Sequence, residues 1–148
     1  MVELEDASLI LKDASAKSLV LLDELGRGTA TNDGSAIARS VLEQLVESIK
    51  CITVFVTHYK NVADMEARFA GNLVNGHMGY KARDHDEDKP GKDVGGKSIL
   101  FLYRLSSGQA NSSFGMNVAR MAGLPSPVVD LAEKVANEMK TQAGSKSS

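Results

Sequence analysis

Two short apolar runs, one on each side of an amphipathic stretch, constrain this chain more than any other feature. Residues 18–22 read Ser-Leu-Val-Leu-Leu and end in Asp23-Glu24. Residues 51–56 read Cys-Ile-Thr-Val-Phe-Val and end in Thr57-His58. Continuous apolar, β-branched runs of this length are expected as strands buried on both faces. Between them, Ile37, Val41, Leu42, Leu45, Val46 and Ile49 recur at helical spacing, so residues 35–50 are expected to be an amphipathic helix, with Asn32 or Asp33 as its cap. Residues 23–51 are long enough for a crossover connection, and crossovers within one sheet are nearly always right-handed. Two parallel strands joined this way carry both carboxyl ends on one edge, where open α/β sheets bind ligands. Asp23-Glu24 and His58 should therefore emerge side by side.

The rest of the chain fits around this unit. Residues 1–16 have apolar positions at Val2, Leu4, Ala7, Ile10, Leu11 and Ala14, near helical spacing. Residues 25–34, rich in Gly, Thr, Asn and Asp, are expected to be a loop. Residues 61–69 suit a short helix capped by Asn61. Residues 73–80 and 98–105 suit a pair of strands, joined by a charged, Gly-rich loop at 81–97 that is expected to be mobile. Residues 114–122 form a helix ended by Gly123 and Pro125, and residues 126–140 another, with Pro127 in its first turn. The polar residues 141–148 read as a frayed tail. The expected class is α/β.

Composition removes several functions. Hydrophobic residues make up 43% and charged residues 24%, which is globular rather than disordered. No apolar run approaches the roughly 20 residues of a bilayer span. The first residues are acidic, unlike a secretory signal. The single cysteine, Cys51, excludes an internal disulfide and a multi-cysteine zinc site, and favours an intracellular protein. A net charge of −2 and the lack of Trp offer neither a basic footprint nor stacking platforms for nucleic acid.

An apolar strand that ends in Asp-Glu can hold two carboxylates at a phosphate site. Asp23 would hold Mg²⁺, directly or through water, and Glu24 would polarise an attacking water. Adjacency matters because metal and nucleophile lie on opposite sides of one phosphoryl group. By itself the dipeptide is more often an ordinary acidic strand end. Gly26, Gly28 and Gly34 in the segment that follows allow close backbone approach and positive φ, which suits a loop that holds a ligand or a partner subunit, and also suits a flexible turn. His58 alone reads as a strand-end histidine; His77 and His85 read as surface residues and Cys51 as an apolar strand residue.

The run Ser18-Leu19-Val20-Leu21-Leu22-Asp23-Glu24-Leu25-Gly26-Arg27-Gly28-Thr29-Ala30-Thr31-Asn32-Asp33-Gly34 resembles the Walker B segment and following loop of the MutS family of DNA mismatch-repair ATPases. Thr57-His58-Tyr59 resembles that family's histidine switch, and residues 113–125 (Ser-Phe-Gly-Met-Asn-Val-Ala-Arg-Met-Ala-Gly-Leu-Pro) its C-terminal helix-turn-helix. The motifs stand in family order across nearly the whole chain. Asn75-Gly76-His77-Met78-Gly79-Tyr80 is most similar to the eukaryotic MutS homolog 3 subgroup. The resemblance implies a partial P-loop NTPase sheet of the ABC type with flanking helices: residues 1–110 as the second half of the ATPase domain, 111–140 as a helix-turn-helix association element, and 141–148 as a disordered tail. It implies Asp23 as the Mg²⁺-associated aspartate, Glu24 as the general base or water-orienting carboxylate, and His58 as the sensor of the γ-phosphate and attacking water. Gly28, Thr29, Thr31, Asn32 and Asp33 would lie at the interface between two ATPase subunits. ATP and Mg²⁺ would serve the complete domain, and the partner would be a second MutS-type subunit, as a heterodimer. Mismatched or looped double-stranded DNA would be bound through regions outside this sequence, in the nucleus. The alternative is a non-catalytic dimerisation module derived from such a protein.

The family's phosphate-binding loop and serine signature would precede Walker B, and neither is found there, so the sequence is expected to be a fragment or a truncated gene product, inactive alone and poorly soluble. One string, Gly91-Lys92-Asp93-Val94-Gly95-Gly96-Lys97-Ser98, satisfies the phosphate-loop pattern. A working loop follows an apolar strand and opens a helix whose amides hold the phosphates. Here acidic residues precede the string and the strand-like Ile99-Leu100-Phe101 follows it. Lys97→Ala is accordingly expected to leave nucleotide affinity unchanged, as read by fluorescent-nucleotide titration.

Overall fold

A computed structural model describes residues 2–83, 98–110 and 114–145. It divides into two compact units: residues 1–75 with 107–109, and residues 76–106 with 110–148. In the first unit, α1 (Val2–Asp13) leads to β1 (Leu19–Asp23), α2 (Thr31–Gln44), one π-helical turn (Leu45–Ile49), β2 (Ile52–Val56), the short α3 (Lys60–Ala63) and a 3-10 turn (Asp64–Ala67). The two strands pair in parallel, Leu19 opposite Ile52 through Asp23 opposite Val56.

Among the described residues the strands are covered on one face only, which corrects the expectation of burial on both. Val20 and Leu22 turn into a core with Ala7, Leu25, Val41 and Leu45. On the other face Leu19, Leu21, Ile52, Val54 and Val56 are exposed, Ile52 by 71%. Alternation along β1 is thus complete, as strand geometry requires of a sheet covered on one side. A second core, under β2 and α2, gathers Ala38, Leu42, Tyr59, Val62, Met65 and Phe69. Phe55 packs against both cores.

Helix limits differ from the sequence expectation. α2 begins at Thr31, four residues early, with Ala30 at the N-cap and no side-chain cap from Asn32 or Asp33, which lie in its first turn. Asp33 there is favourably placed against the helix dipole. The last turn widens to the π form, closed by the Lys50 amide donating to the Leu45 carbonyl at 2.8 Å with Lys50 left-handed. Arg68 ties this end to the 3-10 turn through Glu43 (2.6 Å) and Glu47 (3.2 Å). Tyr59, not Asn61, occupies the N-cap of α3.

In the second unit β3 (Gly76–Arg83) pairs with β4 (Ser98–Ser107), the strands expected at 73–80 and 98–105. Residues 81–83 belong to β3; the rest of the expected loop, and the phosphate-loop string but for Ser98, lie outside the described residues. α4 (Gly115–Met121) is followed by Gly123 at φ +82° and by α5 (Ser126–Ser145), which runs past the expected end at Lys140 into residues placed in the tail. Arg120 of α4 clasps Glu133 (2.7 Å) and Asp130 (3.1 Å) of α5. The guanidinium holds the Glu133 carboxyl below the usual carboxylate range, so this tie is present at neutral pH and lost as pH falls through that lowered value.

The uneven cover of the sheet generates a contrast. Leu45, fully buried, should cost about 2–5 kcal/mol when replaced by Ala. Leu21→Ala, on the open face of the 148-residue chain, should cost no more than about 0.5 kcal/mol. Urea unfolding of the two variants measures both.

Candidate functional site

The parallel register sets the site. Because Asp23 pairs with Val56, both strands end at the same level. The ladder gains one more bond, the Glu24 amide donating to the Val56 carbonyl at 2.8 Å, and then both chains turn away. Glu24 takes a left-handed conformation, φ +51°. Such a conformation costs a non-glycine residue about 1–3 kcal/mol and persists only where surrounding structure over-determines it. Here a tight turn does so, with the Arg27 amide donating to the Glu24 carbonyl at 3.1 Å.

The turn aims Glu24 at His58. The His58 Nδ1 lies 3.6 Å from Glu24 Oε1, near but beyond a direct hydrogen bond. The other carboxylate oxygen, Oε2, accepts a 2.6 Å bond from Arg27 Nη1. The carboxylate is about one-third exposed and the imidazole about half exposed, so the pair faces solvent at the sheet edge. Asp23 is exposed at the tip of β1, on the open face of the sheet. Of the three residues expected to converge, Glu24 and His58 are in contact range and Asp23 is next to Glu24 in the chain.

Among the described residues no group of three His, Cys, Asp or Glu side chains is arranged to hold a metal ion. Mg²⁺ keeps several waters and is commonly held by one or two carboxylates with substrate phosphates. A single exposed aspartate at a strand tip fits that mode and does not fit an all-protein cage.

Gly28, Thr29, Thr31, Asn32 and Asp33 form an exposed rim over the turn before α2 and its first turn. Beneath this rim the backbone is packed as tightly as it can be. A Cβ on Gly26 would stand 2.4 Å from the Gly34 carbonyl oxygen, and one on Gly34 would stand 2.2 Å from that of Gly26. Only glycine permits this approach at both places. The Tyr59 hydroxyl donates to the Gly26 carbonyl at 3.0 Å, buried, across 33 positions of sequence. The Thr57 hydroxyl accepts from the Tyr59 amide at 3.0 Å, and the Asn61 amide group donates to the Ser35 hydroxyl at 3.3 Å. Sequence reasoning gave Arg27 and Tyr59 no individual role, and it read Gly26 and Gly34 as allowing close approach of a ligand or partner rather than of each other. The signal available was the chemistry of Thr57-His58-Tyr59: a phenol beside an imidazole must find a polar partner when buried. Which partner is a tertiary fact.

Residues 1–140 match the family model of MutS domain V. The chain is 49% identical over 139 residues to DNA mismatch repair protein Msh3 of Dictyostelium discoideum, covering 94% of this chain and 10% of that protein. It is 42% identical over 144 residues to MSH3 of Phaeosphaeria nodorum (97% of this chain, 12% of that one) and 45% identical over 141 residues to msh3 of Emericella nidulans (95% and 12%). The chain therefore spans about a tenth of the length of these relatives.

The glycine crevice makes the sharpest local demand. Gly34→Ala should destabilise the first unit by about 1–3 kcal/mol, the usual cost of overpacking. Gly28→Ala meets no atom within 4 Å and should cost less, through its positive φ alone. Thermal unfolding of both variants provides the test.

Proposed function

Because the chain belongs to the MutS family of DNA mismatch-repair proteins and is similar to its Msh3 members, we propose that it carries the Walker B half of an ATP-hydrolysing site that drives mismatch repair. The observation that carries this reading is the approach of Glu24 and His58 to 3.6 Å at adjacent strand ends. Glu24 would orient the attacking water and take its proton, and the imidazole, 3.6 Å from the carboxylate, would contact the same water or the γ-phosphate from beside it. Asp23, beside them and open to solvent, would hold Mg²⁺ through water. Bound there with the substrate, the ion would neutralise charge developing on the phosphate oxygens. Acceleration would come from positioning and electrostatics, as in phosphoryl transfer generally. The phosphate-binding residues would come from outside this sequence, so residues 1–148 alone should not turn over ATP.

The exposed rim of Gly28, Thr29, Thr31, Asn32 and Asp33 would face a second MutS-type subunit, and a heterodimer is the expected assembly. Mismatched or looped DNA would be the effector, bound by other regions of the complete protein, and the nucleus its location. Among the described residues no helix is long and apolar enough to cross a membrane. A second reading, a non-catalytic dimerisation module, draws on α5. There Val128, Leu131, Val135 and Met139 are exposed at helical spacing, a stripe suited to a partner.

In the complete protein with its partner subunit, Glu24→Gln should lower kcat for ATP hydrolysis by about 10²–10⁴-fold while leaving nucleotide binding intact. Steady-state phosphate release beside a nucleotide-binding titration reads both. Hydrolysis at the wild-type rate would leave only the module reading.

A further inference from the structure

Resting on the hydrolytic reading above, we propose that Tyr59 is a positioning residue of that site, locking the turn that aims Glu24 to the strand end that carries His58. The strand ladder cannot do this alone. Its last bond is the Glu24 amide to the Val56 carbonyl, and everything beyond it is irregular backbone. Three residues in five, Glu24, Gly26 and Gly28, have positive φ (+51°, +92° and +98°); the two glycines adopt it freely, whereas Glu24 is strained and needs its surroundings to hold it there. Arg27 braces the Glu24 carboxylate, but its side chain is 73% exposed and solvent-screened. The buried bond is the one from Tyr59.

Three observations give that bond its leverage. The Tyr59 ring is 7% exposed and sits in the second core, against Ala38, Leu42, Val62 and Met65, so its hydroxyl is delivered from a fixed base. The hydroxyl enters the crevice where Gly26 meets Gly34; a Cβ on Gly34 would stand 2.6 Å from it. The accepting carbonyl belongs to Gly26, inside the turn between Glu24 and Arg27, so moving it moves the Glu24 backbone. Tyr59 also follows His58 directly, their ring centroids 4.3 Å apart. One side chain therefore references both halves of the pair to the same core. The crevice also holds the start of α2, whose first turn carries the rim residues Thr31, Asn32 and Asp33. Displacement of that rim by a partner would reach Glu24 through this contact.

Tyr59→Phe keeps the ring and removes the hydroxyl, which makes it the variant of choice. In the complete protein with its partner subunit, kcat for ATP hydrolysis should fall about tenfold, inside the range that a small misplacement of reacting groups can cost, with KM changed less than about twofold. Amide exchange at residues 24–28 should rise while exchange in α2 and β2 is unchanged. A purely structural tyrosine would lower the melting temperature and leave kcat at the wild-type value, and that result overturns the proposal; so does unchanged exchange at 24–28. Glu24→Gln, run in parallel, separates the two layers of argument. If it abolishes turnover and Tyr59→Phe does not slow it, the positioning role falls and the hydrolytic reading stands. If Glu24→Gln turns over like wild type, the hydrolytic reading falls, and the positioning role falls with it.

Discussion

Parallel pairing of β1 with β2, in the register that sets Asp23 against Val56, is the constraint on which the molecule's chemistry depends. Side chains alternate along a strand, so a one-residue slip would turn every apolar side chain of β1 to the opposite face. It would bury Leu19 and Leu21 and expel Val20 and Leu22 from the core with Ala7, Val41 and Leu45. The hydrophobic cost of that slip pins the register, and the register makes the strands end together. An acidic pair and an imidazole distant in sequence become neighbours because apolar side chains several residues away cannot move.

Past the strand ends a different kind of order takes over. No further ladder bonds are available, and the backbone between β1 and α2 is held by close approach. Two glycines stand where any Cβ would collide, a phenol fills the remaining space, and a non-glycine residue is kept left-handed at the centre of the site. Strain of this kind is stable only when the surroundings leave no alternative. Here the surroundings are the ladder bond to Val56, the turn bond from Arg27 and, in the positioning role proposed for it, Tyr59, which packs in the second core with Val62, Met65 and Phe69.

Much of this was legible in the residues. The apolar runs 18–22 and 51–56, with an amphipathic stretch between them, were enough to place Glu24 and His58 on one edge, because chain geometry leaves few ways to join two such strands. The motifs from Ser18 to Gly34 and at Thr57-His58-Tyr59 carried the family. What was not legible has physical causes. The helix α2 starts at Thr31 because residues 31–34 accept helical dihedrals once Gly34 is pressed onto Gly26, a tertiary contact that outweighs the loop-like composition. Asn61 looks like a cap, but its side chain is engaged with Ser35, 26 positions away. The runs of β1 and β2 are apolar throughout, yet only one face has a cover among the described residues, and sequence pattern alone cannot say what covers the other.

That other face has a consequence for how such a protein is made. Five aliphatic side chains spread across two short strands form a greasy plate on the open face of the sheet whose strand ends carry the proposed site. Until something settles on it, the plate is adhesive toward any comparable surface, its own duplicates included. Burial along β1 alternates residue by residue while its composition does not, so the strand is more apolar than its cover among the described residues requires.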